Sequence, residues 1–265
     1  MKALALDFDG VLADSAREAF AVALRTYAAL EPRSRLAAAS TEPDPELHPA
    51  LYAAFLDLMP LGNRAEDYAA ALRSIDAGSA LPDQASYDAF YASQEMPFLR
   101  AFHGRFYEER RAWAARDRTG WLRLLPPFTP FLSLLRRRAG TTVYAIATAK
   151  DAATVLELLG VYGVADLFDR RWILDKETGL EKRAHLHDLA AGLGIGFADV
   201  TFVDDKLNHL EAVRPLGVRC ALAGWGYNGE REHLLARAAG IPVCSLDGAE
   251  AVLFGPAAPP AGNVR

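Results

Sequence analysis

Two patterns of apolar positions divide the chain. Residues 2–8 (KALALDF) form a nearly continuous apolar run that ends at Asp7 and Asp9. A run without alternation reads as a strand buried on both faces of a parallel sheet. Gly10 lets the backbone depart sharply from it. From Ser15 to about residue 125 the spacing turns helical, rich in Ala, Leu and aromatics and poor in β-branched residues. Ser15-Ala-Arg-Glu18 fits a capping box for the first of these helices. Breaks at Pro43–Pro45, Pro60–Gly62, Gly78–Pro82 and Pro97 cut the region into several helices, and Pro126-Pro127 closes it.

Beyond that point helix and strand alternate. Phe128–Arg138, Asp151–Gly160, Arg183–Gly192, Leu207–Leu216 and Glu230–Ala239 read as helices. Thr141–Thr148, Arg170–Leu174, Val200–Val203, Val218–Ala223 and Val243–Leu246 read as strands. This alternation predicts an α/β fold, a doubly wound and mainly parallel (Rossmann-like) sheet with helices on both faces. The first strand then belongs to the same sheet as residues 127–255. A connection as long as 15–126 needs a domain of its own. The expected layout is a split α/β core (1–14 and 127–255), an inserted all-helical domain (15–126) and a disordered Pro/Ala-rich tail (256–265).

Composition narrows the partners. A chain of 265 residues can bury a sizeable core. Its net charge of −5 argues against a nucleic-acid partner. Cys220 and Cys244 are too few for a disulfide scaffold and lack metal-ligand spacing. No apolar run reaches the roughly 18 residues of a membrane helix. Asp7 and Asp9 interrupt what would be a signal-peptide core, so a cytoplasmic setting without membrane is expected. Of 29 basic residues only five are lysines: Lys2, Lys150, Lys176, Lys182 and Lys206. Arg and Lys are not interchangeable at a tight site, so each lysine is worth locating.

Ligands of open parallel sheets bind at the carboxyl ends of the strands. Strand one ends in Asp7-Phe8-Asp9, the 141–148 strand in Thr148, and the 200–203 strand in Asp204-Asp205. Lys182 starts the helix that leads into the last of these. Lys176 is its rival, set aside because it does not directly precede that helix. Four carboxylates on one rim cannot all stay ionised without cations. A hard divalent ion with oxygen ligands, Mg²⁺, is the simplest remedy, and Mg²⁺ favours an anionic phosphate guest. Lys150 and Lys206 flank these motifs and face either substrate or solvent, with solvent the preferred reading.

Asp7-Phe8-Asp9-Gly10-Val11-Leu12 resembles the first motif of the haloacid dehalogenase superfamily. Thr148, Lys182 and Asp204-Asp205 resemble its second, third and fourth motifs, and residues 15–126 its helical C1-type cap. The resemblance covers nearly the whole chain and implies a phosphoglycolate phosphatase- or β-phosphoglucomutase-like hydrolase. By it, Asp7 is a nucleophile that forms an aspartyl-phosphate, and Asp9 the acid and then the base. Thr148 holds phosphoryl oxygens and Lys182 neutralises them. Asp205, with Asp204 beside it, holds Mg²⁺ together with the Asp7 carboxylate and the Asp9 carbonyl.

Two departures stand out. The last acid of the usual fourth motif is His209 here, and Lys182 is followed by Arg183 rather than proline. A halide leaves without a proton, so Asp9 favours an oxygen leaving group over dehalogenation. The resulting expectation is a Mg²⁺-dependent phosphatase for a small phosphorylated metabolite. A phosphomutase, or a non-catalytic phosphate-binding protein on the same fold, is the alternative. Within the insertion, Arg100 to Arg118 holds six arginines against three acids, a local +3. This reads as a solvated helix face with Glu/Arg pairs more readily than as a substrate anchor. Asn63-Arg64 is a second candidate anchor. Hinges are expected near Ala13–Ser15 and Leu125–Phe128.

Overall fold

The computed structural model describes residues 1–62, 64–175, 177–179 and 181–255. Asn63, Lys176 and the tail 256–265, singled out by sequence, lie outside the described residues. The chain forms two compact units. The first comprises Met1–Leu12, Phe128–Trp225 and the chain from His233 on; the second comprises Ala13–Pro127 and Gly226–Glu232.

The elements, in chain order, begin with β1 (Ala3–Leu6), followed by α1 (Ala16–Leu30), α2 (Pro49–Leu58), α3 (Ala65–Ala77), α4 (Gln84–Ala92), α5 (Met96–Arg116) and α6 (Arg118–Arg123). Then come α7 (Thr129–Arg137), β2 (Val143–Ala147), α8 (Ala152–Val161), β3 (Ile173–Leu174), α9 (Lys182–Leu193), β4 (Val200–Asp204) and α10 (Leu207–Val213). The chain continues through β5 (Arg219–Ala223), α11 (Glu230–Ala238), β6 (Val243–Cys244) and α12 (Ala249–Phe254).

Among the described residues the sheet has six strands in the order β3-β2-β1-β4-β5-β6, every pair parallel. The doubly wound reading is therefore correct. Connections run outward in opposite directions from β1 and β4, which opens a crevice at their carboxyl ends. Every residue of β1 is fully buried, as the unbroken apolar run requires. Its alanines Ala3 and Ala5, with Ala145 and Ala147 of β2, share one core cluster with Leu186 and Leu189 of α9 and Leu210 and Val213 of α10. Small residues on that face let both helices approach the sheet closely.

Most predicted elements recur with ends shifted by a residue or two. The strand expected from Arg170 begins only at Ile173, because Asp169 accepts the Arg171 N–H (3.0 Å) and turns residues 170–172 into a 3-10 helix. The sequence reading missed α12.

The helical unit packs around aromatic side chains. Phe20, Phe55, Tyr68, Phe106 and Phe102 follow one another at ring separations of 5.4 to 6.2 Å. The predicted capping box is absent. The Ser15 hydroxyl instead lies 3.0 Å from the Tyr227 hydroxyl, which accepts the Ala16 N–H at 2.7 Å. Tyr227 thus caps α1 from a segment assigned by sequence to the sheet domain, which is why Gly226–Glu232 groups with the helices. Glu18, the other half of the expected box, is buried and faces Arg110.

Candidate active site

Each candidate side chain is placed where a strand runs out. The Asp7 N–H donates to Val203 O (2.9 Å), so the β1–β4 ladder extends one residue past β1. The Phe8 N–H donates to Asp7 Oδ1 (2.7 Å), and the Leu12 N–H closes the following turn on Phe8 O (2.9 Å). Gly10 takes φ +77°, and a Cβ there would meet Asp205 Oδ2 at 2.4 Å. Only glycine fits both constraints. The Asp205 carboxylate is thereby laid against the Asp7–Gly10 turn.

Thr148 is buried directly after β2, and its hydroxyl accepts the Lys150 N–H (3.2 Å). Lys182 opens α9 and sends its ammonium back to the sheet. Nζ lies 2.6 Å from Ala147 O, 2.8 Å from Asp7 Oδ1 and 3.5 Å from Asp204 Oδ2. Asp204 is fully buried; its Oδ1 accepts the Lys206 N–H (2.8 Å) and its Oδ2 lies 3.1 Å from His209 Nδ1. The structure thus brings Asp7, Lys182, Asp204 and His209 into one cluster, with Asp205 on the adjoining turn.

Burial pushes the Asp7 carboxyl up to about 6, against the pull of Lys182 and with the help of Asp204. At neutral pH it is mainly ionised and poorly solvated, as suits a nucleophile. Burial opposes the charge on Lys182, but Asp7 and Asp204 outweigh it and raise its pKa. Burial also opposes the charge on Asp204, yet Lys182 and His209 hold it below the usual carboxylate range. His209 is raised despite burial, because Asp204 faces it.

Two expectations about lysines fail. Lys150 does not face solvent: its ammonium lies 3.2 Å from Asp9 Oδ1 and its side chain is 11% exposed. Lys206 is buried as well, and its backbone N–H donates to Asp204 Oδ1. The sequence offered one hint to Lys150, its scarcity in an arginine-rich chain. Asp175 and His185 were missed altogether. Asp175 directly follows β3 and accepts N–H bonds from Ala152 (2.9 Å) and Glu177 (3.0 Å). His185 Nε2 holds Gly179 O (2.8 Å) and Asp175 O (3.1 Å), closing the loop that delivers Lys182. Among the candidate anchors in the helical unit, Arg110 forms a two-pronged pair with buried Glu18, and Arg64 pairs with Asp67 (3.2 Å).

A divalent ion has oxygen donors here. The Asp205 carboxylate lies against a glycine cradle that a single Cβ would fill, and the Asp7 carboxylate closes the strand that leads into that turn. Such a donor set fits a hard cation. Ligand atoms of Asp7, Asp204 and His209 also lie within 4.8 Å of one another.

A family model for haloacid dehalogenase-like hydrolases matches residues 1–217. Solved structures with the same fold include a protein from Lactobacillus delbrueckii subsp. bulgaricus, provisionally named a phosphoglycolate phosphatase. It is 13% identical at a TM-score of 0.65, over 96% of this chain and 99% of that one. A predicted phosphoglycolate phosphatase from Haemophilus somnus is 17% identical at a TM-score of 0.56, over 95% and 96%. A haloacid dehalogenase-like family protein from Streptococcus pneumoniae is 13% identical at 0.56, over 96% and 98%. No curated protein matches the chain. Among the described residues no helix is long and apolar enough to cross a membrane.

Proposed function

Because the chain belongs to the haloacid dehalogenase-like hydrolase family, we propose that it is a Mg²⁺-dependent phosphatase acting on a small phosphate monoester. The observation that carries this reading is a buried carboxylate, Asp7, paired at 2.8 Å with Lys182, a half-buried residue whose side chain is 9% exposed, and followed two residues on by a second acid. A nucleophile and a separate proton carrier are what hydrolysis through a covalent intermediate needs.

In the first half-reaction an Asp7 oxygen attacks phosphorus and the bond to the leaving oxygen breaks. Asp9 gives that oxygen its proton. In the second half, Asp9 takes a proton from water, the water oxygen attacks phosphorus, and the bond to Asp7 breaks, releasing phosphate. Thr148 Oγ would orient phosphoryl oxygens, and Lys182 would balance the charge shared by Asp7 and the transferring group. The Asp7 and Asp205 carboxylates and the Asp9 carbonyl would hold the divalent ion. When bound, that ion would neutralise phosphoryl charge and help to align it. The names of the Lactobacillus and Haemophilus neighbours point to the same substrate class, a small phosphorylated metabolite. We place residues 15–126 as a cap on this site, with hinges near Ala13–Ser15 and Leu125–Phe128.

The test is release of inorganic phosphate from an aryl phosphate and a panel of phosphometabolites, with and without Mg²⁺. Activity is expected with Mg²⁺ and lost in Asp7→Asn. Retained activity in that variant removes Asp7 from the role. Isomer formation without phosphate release would mean a mutase, and a silent panel a binding protein.

A further inference from the structure

We propose that Asp204 and His209 together form the hold that fixes Lys182 on Asp7, and that His209 is not a ligand of the divalent ion. The inference rests on the function proposed above and assigns a task to the position where this chain departs from its family's pattern.

Consider the ammonium first. Lys182 has three N–H donors, and three oxygens surround it: Ala147 O at 2.6 Å, Asp7 Oδ1 at 2.8 Å and Asp204 Oδ2 at 3.5 Å. The first two belong to the ends of β2 and β1, the third to β4. The long, flexible lysine stem is therefore pinned by three adjacent strands. Asp204 is itself pinned. With no exposed surface, it receives the Lys206 N–H on Oδ1 and His209 Nδ1 on Oδ2. The order of contacts is His209, Asp204, Lys182, Asp7.

The spacing of Asp7, Asp204 and His209 would by itself admit a cation. That space already borders a charge, because the Lys182 ammonium contacts both carboxylates. A dication bridging the same oxygens would stand beside a fixed positive charge in a poorly solvated site. The Nδ1 edge of His209, 3.1 Å from Asp204 Oδ2, is also committed, so it cannot share an ion with that oxygen. A nitrogen that donates to a carboxylate has no lone pair for a metal. Asp205 offers the ion a different place. Successive side chains at a strand end point to opposite sides, so Asp204 turns toward Lys182 and Asp205 lies over Gly10. The two adjacent acids thus divide the work, one holding the lysine and the other the ion. An acid at position 209 would repel Asp204, whereas a histidine donates to it.

Mn²⁺, used as a paramagnetic probe, tests this directly. Pulsed electron paramagnetic resonance on the unaltered protein with Mn²⁺ bound should show no imidazole nitrogen coupling. Mn²⁺ affinity should stay within about threefold in His209→Leu and fall by about tenfold or more in Asp205→Asn. In His209→Leu the kcat for an aryl phosphate should fall about tenfold with KM nearly unchanged, and His209→Asn, which keeps an N–H donor, should recover part of it. Nitrogen coupling in the unaltered protein needs no variant and would overturn the inference. So would a large loss of Mn²⁺ affinity in His209→Leu, or an unchanged kcat in that variant. Absence of both phosphate release and Mn²⁺ binding in the unaltered protein would instead overturn the proposed function, and this inference with it.

Discussion

The Lys150 ammonium stands 3.2 Å from Asp9 Oδ1. With Lys182 on Asp7, each carboxylate of the Asp7-Phe8-Asp9 motif has its own lysine, in a chain with only five. Lys150 reaches Asp9 from the turn after β2, a turn tied down by its own N–H on Thr148 Oγ. Lys150 is therefore expected to position Asp9 rather than bind substrate. Lys150→Met should lower kcat by roughly tenfold with KM within about twofold. Lys150→Arg should restore little, because a planar fork does not replace a point charge. Steady-state kinetics on an aryl phosphate decide the matter. A raised KM at constant kcat would make Lys150 a substrate anchor.

Gly10 carries a prediction about the metal. Its φ of +77° costs an L-residue on the order of 1 kcal/mol. The larger effect is steric, since a methyl there would displace the Asp205 carboxylate. Mg²⁺ at about a hundred times its Kd should stabilise the unaltered protein by about 2.7 kcal/mol, seen as a rise in Tm reversed by a chelator. Gly10→Ala should fold with a lower Tm and lose most of that Mg²⁺-dependent rise. A full Mg²⁺ response in Gly10→Ala would remove Asp205 from the metal site.

How much of this was legible in the sequence follows from the reach of each interaction. The strand-end acids and Thr148 were legible because each sits where a short apolar run stops, and parallel strands bring such ends to one edge; Lys182 was legible from its place at the start of the helix that leads into the fourth of those strands. The alternation after Pro127 gave the sheet, although it concealed the 3-10 turn that Asp169 imposes before β3. The cap of α1 was not legible. Ser15 and Glu18 have the right spacing, but Tyr227, 212 residues from Ser15, takes the helix N-terminus. The Lys150–Asp9 and His209–Asp204 contacts were hidden for a related reason. They depend on where a side chain points at the end of an element, and periodicity does not report that.

Glu18 and Arg110 anchor the helical unit. Glu18 is 1% exposed, accepts two bonds from Arg110 at 2.6 and 2.5 Å, and a third from Trp121 Nε1 at 3.2 Å. Removing one partner of a buried pair leaves the other uncompensated, at a cost of roughly 3–5 kcal/mol. Arg110 is partly exposed, so Glu18→Ala should destabilise near the lower end, about 3 kcal/mol by denaturant unfolding. Arg110→Ala should cost a similar amount. The double variant should cost less than the two single losses added together. Strict additivity would mean the pair is not coupled.

His185 makes stability depend on pH in a direction that can be worked out. Burial holds its pKa below the usual imidazole value, with nearby Lys182 adding to the effect. Nε2 is bonded to two carbonyls, while Nδ1 is buried without a hydrogen-bond partner among the described residues. Protonation would place an N–H in the interior with no acceptor. Above about pH 6.5 the residue is neutral in both the folded and unfolded chain, and its contribution is full. As pH falls below that value, the unfolded chain takes up a proton that the folded one resists. Stability is then lost, by at most about 1.4 kcal/mol per pH unit for one site. His209 has the opposite sign, since Asp204 raises its pKa and its contribution fades as pH rises. The net slope of the unaltered protein therefore mixes the two, and a comparison separates them. Between pH 7.5 and 5.5, His185→Gln should lose less stability than the unaltered protein, whereas His209→Asn should lose more. Equal losses in His185→Gln and the unaltered protein, measured by denaturant unfolding at each pH, would show that His185 takes up its proton as readily in the fold as outside it.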